Sequence, residues 1–220
     1  ALLTVRRDKD QAGMPEFQEA VERVVAGLEK KNRVINPREK KIVAYHELGH
    51  AIVAMSLPGT DPVQKITVIP RGIAALGYTM QVPTEDRFLM SKTELENKIA
   101  TLLGGRAAEE TVSGDISTGA HNDLSRATDI ARSMVKEYGM SKAGQVYYAS
   151  QRRAQFLNPL PEGHGEYSEA TAEVIDQEVN AIINSQYGRA LEILKGRRPI
   201  LEKSVAVLLE KETIEGDERK

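Results

Sequence analysis

The hydrophobic and polar positions of this chain fall into a succession of helical stripes, interrupted once by two short β-rich runs. From Pro15 onward, Phe17, Ala20, Val21, Val24 and Leu28 return at helical intervals and predict an amphipathic helix with one apolar stripe. Such a stripe wants a partner surface. With one full helix ahead of Asn36, residues 1 to about 35 read as the tail of a preceding domain, the alternative being an N-terminal helix that docks on the rest of the chain. Asn36-Pro37-Arg38-Glu39 joins an N-cap residue, a proline at the first helical position and a carboxylate three residues after the cap, and so predicts a helix start. Ile42, Val43, Ala51, Ile52, Ala54 and Met55 carry that helix to a stop at Leu57-Pro58-Gly59.

Val63 to Ile69 and Leu76 to Val82 then predict two strands joined through Pro70-Arg71-Gly72. Ser91-Lys92-Thr93-Glu94 is a capping box, opening a helix that runs to about Val112 and is ended by Ser113-Gly114. Its interior Gly104-Gly105 costs roughly 1 kcal/mol per glycine relative to alanine, and close packing against another helix is the expected compensation. Residues 120 to 138 predict a further helix stopped by Gly139, Gln145 to Ala149 a short strand, and 151 to 166 a loop containing proline and glycine. A long helix from Ser168 to about Lys195 and a last one from Pro199 to about Glu212 complete the chain. In the long helix Ala172, Ile175, Val179, Ile182 and Ile183 recur at core spacing; its length, ~40 Å at 1.5 Å per residue, predicts that part of its surface faces other helices or neighbouring subunits. The expected fold is mainly α with a small β-sheet and a C-terminal helical bundle.

Composition narrows the chemistry. The chain of 220 residues suits one large domain or a domain with an attached fragment, and 40% hydrophobic with 28% charged residues is ordinary for a soluble globular protein. A net charge of -2 offers no basic surplus for nucleic acid. The absence of cysteine excludes disulfides, thiolate metal sites and cysteine catalysis, so any metal must use His, Asp or Glu. No apolar run approaches the ~20 residues that span a bilayer and no signal-peptide pattern opens the chain, so as it stands it is expected to be soluble. No G-x-x-x-x-G-K-[ST] occurs, which excludes P-loop ATP hydrolysis by this chain itself.

His46-Glu47-Leu48-Gly49-His50 supplies the chemistry. Side chains four apart on a helix sit one above the other, so both imidazoles can reach a single tetrahedral ion, with the Glu47 carboxylate beside it. A carboxylate there can take a proton from water acidified by zinc and pass it to a leaving amine. A catalytic zinc needs a third protein ligand. No Gly-x-x-His follows His50, so the metzincin continuation is absent. The remaining histidines are His121 and His164, the latter between two glycines in a loop where a solvated side chain is the default. Glu109 and Glu110, after the glycine pair, and Asp123, at the start of the next helix, are better placed.

Four ordered blocks bring a resemblance into view: Tyr45 to Ala51, Ile69-Pro70-Arg71-Gly72, Leu103-Gly104-Gly105-Arg106-Ala107-Ala108-Glu109-Glu110 and Thr118-Gly119-Ala120-His121-Asn122-Asp123-Leu124. Spread over some 80 residues, they resemble the peptidase domain of the FtsH family of membrane-anchored, ATP-dependent zinc proteases. The likeness extends weakly through Tyr138-Gly139-Met140-Ser141 into the final helices. Leu48 stands where the family usually has alanine, and His121 where it commonly has a smaller or acidic residue.

The resemblance implies a zincin-type motif helix and a division of the chain: residues 1–35 as the end of an AAA ATPase lid and 36–215 as a zinc peptidase domain, its catalytic part about 36–150 and its helical part about 168–215. It implies one Zn2+ per chain held by His46, His50 and Asp123, with Glu47 as general base and Glu109 holding a ligand imidazole by its other N–H. Leu76, Gly77, Tyr78 and Thr79 would form a substrate-binding edge, where an extended peptide pairs with free backbone groups; completing a small sheet is the plainer role for them. The function implied is an endopeptidase degrading unfolded or membrane proteins, working as a homo-hexamer fed by a fused ATPase ring. ATP and Mg2+ would enter only through that ATPase domain, and the membrane only through segments outside this chain. The parent protein would be anchored in a bacterial inner membrane or an organelle membrane, with the protease on the cytoplasmic, matrix or stromal side. Two rivals stand beside this expectation: a gluzincin-like peptidase with Glu109 as ligand, and a catalytically silent ring scaffold stabilised by zinc, against which an intact Glu47 argues.

Overall fold

The computed structural model describes residues 2–6, 8–25, 27, 36–70, 76–82, 88–148 and 167–215. Within them the chain runs α1 (Leu2–Arg6), α2 (Met14–Val25), α3 (Pro37–Ser56), β1 (Val63–Thr67), β2 (Tyr78–Gln81), α4 (Lys92–Ser113), a 3-10 turn (Thr118–Ala120), α5 (His121–Lys136), α6 (Glu169–Gly196), α7 (Arg198–Lys211) and β3 (Thr213–Glu215). The expected mainly helical architecture with a small sheet is what forms.

Local signals fix the helix starts. The Asn36 side chain accepts the Arg38 N–H at the head of α3, and Ser91 with Glu94 closes a reciprocal capping box at the head of α4. Ser168 caps α6 through the Thr171 N–H. Gly114 ends α4 in the left-handed region, at φ 67, where glycine carries no Cβ penalty.

Helices α3 and α4 cross at the centre of the domain, and their contact explains the glycines. A Cβ on Gly49 would lie 2.4 Å from the Gly104 carbonyl oxygen and 2.6 Å from the Ala108 Cβ, so the two helices meet backbone to backbone. One hydrophobic core joins the α3 residues Ala44, Leu48, Val53 and Ala54 to the sheet through Ile66 and to α6 and α7 through Leu194, Leu201 and Leu208. A second joins Ile99 and Leu103 of α4 to Ala127, Ala131 and Met134 of α5 and to Ile175 and Val179 of α6. Leu48, the bulkier residue within the motif, is buried in the first core.

The sheet has strand order β2-β1-β3, antiparallel throughout. Thr67 pairs with Tyr78 and Ile66 with Thr79, and the register shifts between Val63 and Lys65. The structure departs from the sequence reading in three places. Leu76 and Gly77 precede the second strand rather than joining it, while Arg71 to Ala75 of the connection lie outside the described residues. The strand expected at Gln145 to Ala149 does not form over 145–148: the Tyr148 N–H donates to the Lys136 carbonyl (2.7 Å) and its hydroxyl to that of Ala143 (3.2 Å), closing the segment onto the end of α5. Ala149 and the 151–166 loop, with His164, lie outside the described residues. The third departure is an additional strand. Glu212 adopts φ 61, its carbonyl accepts the Val68 N–H (3.0 Å), and β3 then pairs along β1. The C-terminal helices contribute to both cores, in keeping with the core spacing of Ile175 and Val179.

Candidate metal centre

The i, i+4 spacing on α3 brings the His46 and His50 rings to 4.7 Å between centroids, steeply inclined at 81°. Both are buried, and each is oriented by an acceptor from α4. His50 Nδ1 lies 2.8 Å from the Thr101 carbonyl oxygen, and His46 Nδ1 lies 2.7 Å from Glu109 Oε1. Glu109 is itself fixed by the Ser117 N–H on its other oxygen (2.7 Å). With both Nδ1 atoms so engaged, the two Nε2 atoms turn into one space.

Asp123 enters that space from the first turn of α5, to which the 3-10 turn leads with Ala120 buried beneath it. Its Oδ2 stands 3.3 Å from His46 Nε2 and 3.4 Å from His50 Nε2. The contact to His46 is a hydrogen bond, but a long one beside the ~2.7–2.9 Å usual for a charge-assisted N–H···O bond. Both distances match the edge of a coordination tetrahedron, about 3.3 Å for bonds of ~2.0–2.1 Å. Among the described residues His46, His50 and Asp123 form a group whose donor atoms all lie within 4.8 Å of one another, and two nitrogens with one carboxylate oxygen suit zinc. Room for an ion depends on Gly105: a Cβ there would sit 2.6 Å from His46 Nε2 and 2.6 Å from His50 Nε2.

The remaining sequence candidates are placed clearly. Glu47 is buried against Thr79, whose hydroxyl lies 2.9 Å from both the Glu47 main-chain oxygen and its Oε2. Glu109 is on the Nδ1 side of His46, away from the space between the rings and Asp123. His121 is exposed and outside the ligand group. Tyr78 and Thr79 lie on β2, an edge of the sheet, with Leu76 and Gly77 leading into it. Two supports are invisible to sequence reasoning, the Thr101 carbonyl and the Ser117 N–H. Both are backbone groups, so no residue type advertises them.

The charges of these side chains act on one another. Burial opposes the charged imidazolium of His46, yet hydrogen bonds to Asp123 and Glu109 and the nearby Glu47 and Asp123 charges push its pKa up to about 10. Burial likewise opposes the Asp123 carboxylate, but the two histidines outweigh it and hold its pKa well below the usual carboxylate value. Glu109 is also lowered: its hydrogen bonds to His46 and Ser117 overcome burial. Glu47 moves the other way, because burial outweighs the neighbouring histidines and raises it.

Linkage turns these shifts into a pH dependence. His46, raised from 6.5, contributes stability that is complete below about 6.5 and lost as pH rises towards about 10. Asp123, lowered from 3.8, contributes above that value and loses its contribution as pH falls through its depressed pKa. Chelator-treated protein is therefore expected to show a falling unfolding temperature from pH 6.5 to 10. Zinc-loaded protein, in which the metal replaces the His46 proton, is expected to lack that slope. Equal slopes in calorimetric scans of the two forms would contradict this assignment.

Among known proteins, a profile of peptidase family M41 matches residues 33–220. The ATP-dependent zinc metalloprotease FtsH of Syntrophobacter fumaroxidans is 54% identical over 222 residues, covering 100% of this chain and 34% of that protein. FtsH 4 of Synechocystis sp., also named an ATP-dependent zinc metalloprotease, is 53% identical over 99% of the chain and 35% of its own length. The Thermotoga maritima FtsH is 48% identical, over 99% of the chain and 36% of its own length. The chain thus spans about a third of the length of the curated relatives it matches.

Proposed function

The chain belongs to peptidase family M41, and from that premise we propose that it is a zinc-dependent endopeptidase unit acting on unfolded or membrane polypeptides. The observation that carries the proposal is Asp123 Oδ2 standing 3.3 and 3.4 Å from the Nε2 atoms of His46 and His50, the three donor atoms lying within 4.8 Å of one another, with Glu47 next to His46 on the same helix. These three residues would hold the ion, one per chain, with Asp123 contributing the negative charge. When bound, zinc supplies Lewis acidity, polarising the scissile carbonyl and making water at the site easier to deprotonate. Glu47 takes the proton of the attacking water and returns it to the leaving amine. Burial, by raising its pKa, suits Glu47 to carrying a proton between those steps. Glu109 and the Thr101 carbonyl keep the imidazoles in the orientation that presents Nε2. The edge of β2 from Tyr78 onward, with Leu76 and Gly77 leading in, would receive substrate as an added strand.

Other parts of a longer protein would complete this activity. Phe17, Val21 and Val24 of α2 are 61%, 49% and 86% exposed, which supports reading residues 1–35 as part of an ATPase lid whose core lies elsewhere; Leu28 of that stripe is outside the described residues. Among the described residues no helix is long and apolar enough to cross a membrane, so anchoring, like ATP and Mg2+ binding, would belong to segments outside this chain. The catalytic unit would act as a homo-hexamer. Light scattering of the intact chain at moderate concentration is expected to show a species near six chains, and a strictly monomeric chain with full peptidase activity would remove that claim.

The ligand assignment is tested by substitution. Asp123→Asn is expected to lower zinc affinity at least tenfold by removing the ligand charge, whereas His121→Ala leaves zinc content and most activity in place. Zinc titration with casein hydrolysis reads both. The converse pattern would move the third ligand to His121. If Glu109→Gln strips zinc and Asp123→Asn does not, the gluzincin-like arrangement holds instead; a zinc-loaded wild type inert towards casein in the ATP-supplied full-length protein would leave only a silent scaffold.

A further inference from the structure

We infer that the Thr79 hydroxyl is the positioning group for Glu47, tying one carboxylate oxygen to the substrate-receiving strand. The inference rests on Glu47 being the general base.

A glutamate side chain has three rotatable bonds, and burial alone does not choose among its rotamers. Among the described residues, the Thr79 hydroxyl is the one group that hydrogen-bonds the Glu47 carboxylate, at 2.9 Å from Oε2. The same hydroxyl lies 2.9 Å from the Glu47 main-chain oxygen. It carries a single hydrogen, and an ionised carboxylate is the stronger acceptor, so the hydrogen goes to Oε2. Both contacts on one residue fix the hydroxyl over the root and the tip of the same side chain.

Thr79 is itself held firmly. Its β-branched side chain has restricted χ1 freedom, and its backbone is paired with Ile66 of β1. Two residues earlier, Gly77 brings the chain hard against α3. A Cβ there would stand 2.7 Å from Val43 Cγ1, 2.7 Å from the Thr67 carbonyl oxygen and 3.1 Å from Glu47 Cγ. The chain leading into β2 is therefore pressed onto the base's own methylenes, and the strand supplies the hydroxyl that orients its carboxylate. A peptide adding to the edge of β2 would be placed in register with the same element that aims Glu47. Orientation of this kind acts on turnover, where a misplacement near 1 Å can lower the rate about 100-fold.

The test uses the full-length, zinc-loaded, ATP-supplied protein and a short fluorogenic peptide, with Thr79→Val, Thr79→Ser and Glu47→Gln measured together. Valine keeps the shape and branching of threonine without the hydroxyl. Thr79→Val is expected to lower kcat roughly 10- to 100-fold with KM changed less than about twofold. Zinc content and unfolding temperature should match the wild type, and Thr79→Ser should recover most of kcat. An unimpaired kcat in Thr79→Val, a loss carried by KM, a loss of zinc, or a serine variant as slow as the valine one would each overturn the positioning role. A Glu47→Gln enzyme that still turns over would instead remove the base on which the inference stands.

Discussion

Glu47→Gln is expected to reduce peptide hydrolysis about 10²- to 10⁴-fold, the span over which a positioned general base acts, while zinc stays bound and the fold stays intact. Glutamine has the volume of glutamate, and its amide oxygen can still accept the Thr79 hydroxyl, so the packing between α3 and β2 is preserved. What it lacks is a lone pair basic enough to take a proton from water. The ligand set is untouched, because Glu47 contributes no atom to the group formed by His46, His50 and Asp123. Measuring zinc by elemental analysis beside casein turnover separates the two effects. Substantial turnover by the metal-replete variant would show that another group moves the proton.

Gly105→Ala should be as damaging to function by a different route. In a helix interior alanine is favoured over glycine by ~1 kcal/mol, so α4 itself gains. The added methyl nevertheless arrives 2.6 Å from His46 Cε1, His46 Nε2 and His50 Nε2, distances at which one partner must move. Those rings are held from behind by Glu109 and Thr101, so the displacement falls on the side facing Asp123, where the ion is proposed to sit. The expected variant is folded, with an unchanged circular dichroism spectrum, yet binds zinc too weakly to survive gel filtration and hydrolyses nothing. Full zinc stoichiometry with wild-type activity would show that the rings yield more easily than their hydrogen bonds imply. Gly49→Ala makes a contrasting pair: its methyl meets the Gly104 backbone oxygen at 2.4 Å, and overpacking of about 1–3 kcal/mol is expected to lower stability as well.

What can be read from the sequence is what local chemistry specifies. Asn36, Ser91 and Ser168 announce helices because each side chain satisfies an N–H within three residues of itself. The two motif histidines are legible because helical spacing alone stacks them. Gly104 and Gly105 signal close packing, though their division of labour, one against Gly49 of α3 and one against the two histidine rings, emerges only from the packed structure. The invisible parts depend on distant partners. β3 is three residues long and exists because Glu212 turns the chain so that Ile214 meets Ile66. The 145–148 segment carries strand-forming residues, but its backbone is engaged by the end of α5. The bundle's role in the core is similarly hidden, since a stripe such as Ile175 and Val179 says that it is buried and not what buries it.

The placement of Asp123 on a helix separate from the histidines also bears on how the chain is held together. His46 and Asp123 are 77 residues apart in sequence. An ion shared between them, as proposed, would act as a cross-link, and closing a loop of that size removes chain entropy from the unfolded state worth roughly 4.5 kcal/mol, as a disulfide across the same span would. This chain has no cysteine with which to make such a bond. If His46, His50 and Asp123 hold zinc as proposed, that tie would also be the reaction centre, and removing the ion would cost chemistry and resistance to unfolding in the same event. Under the proposed ligation, that coupling would make the metal-free form the one most readily unfolded.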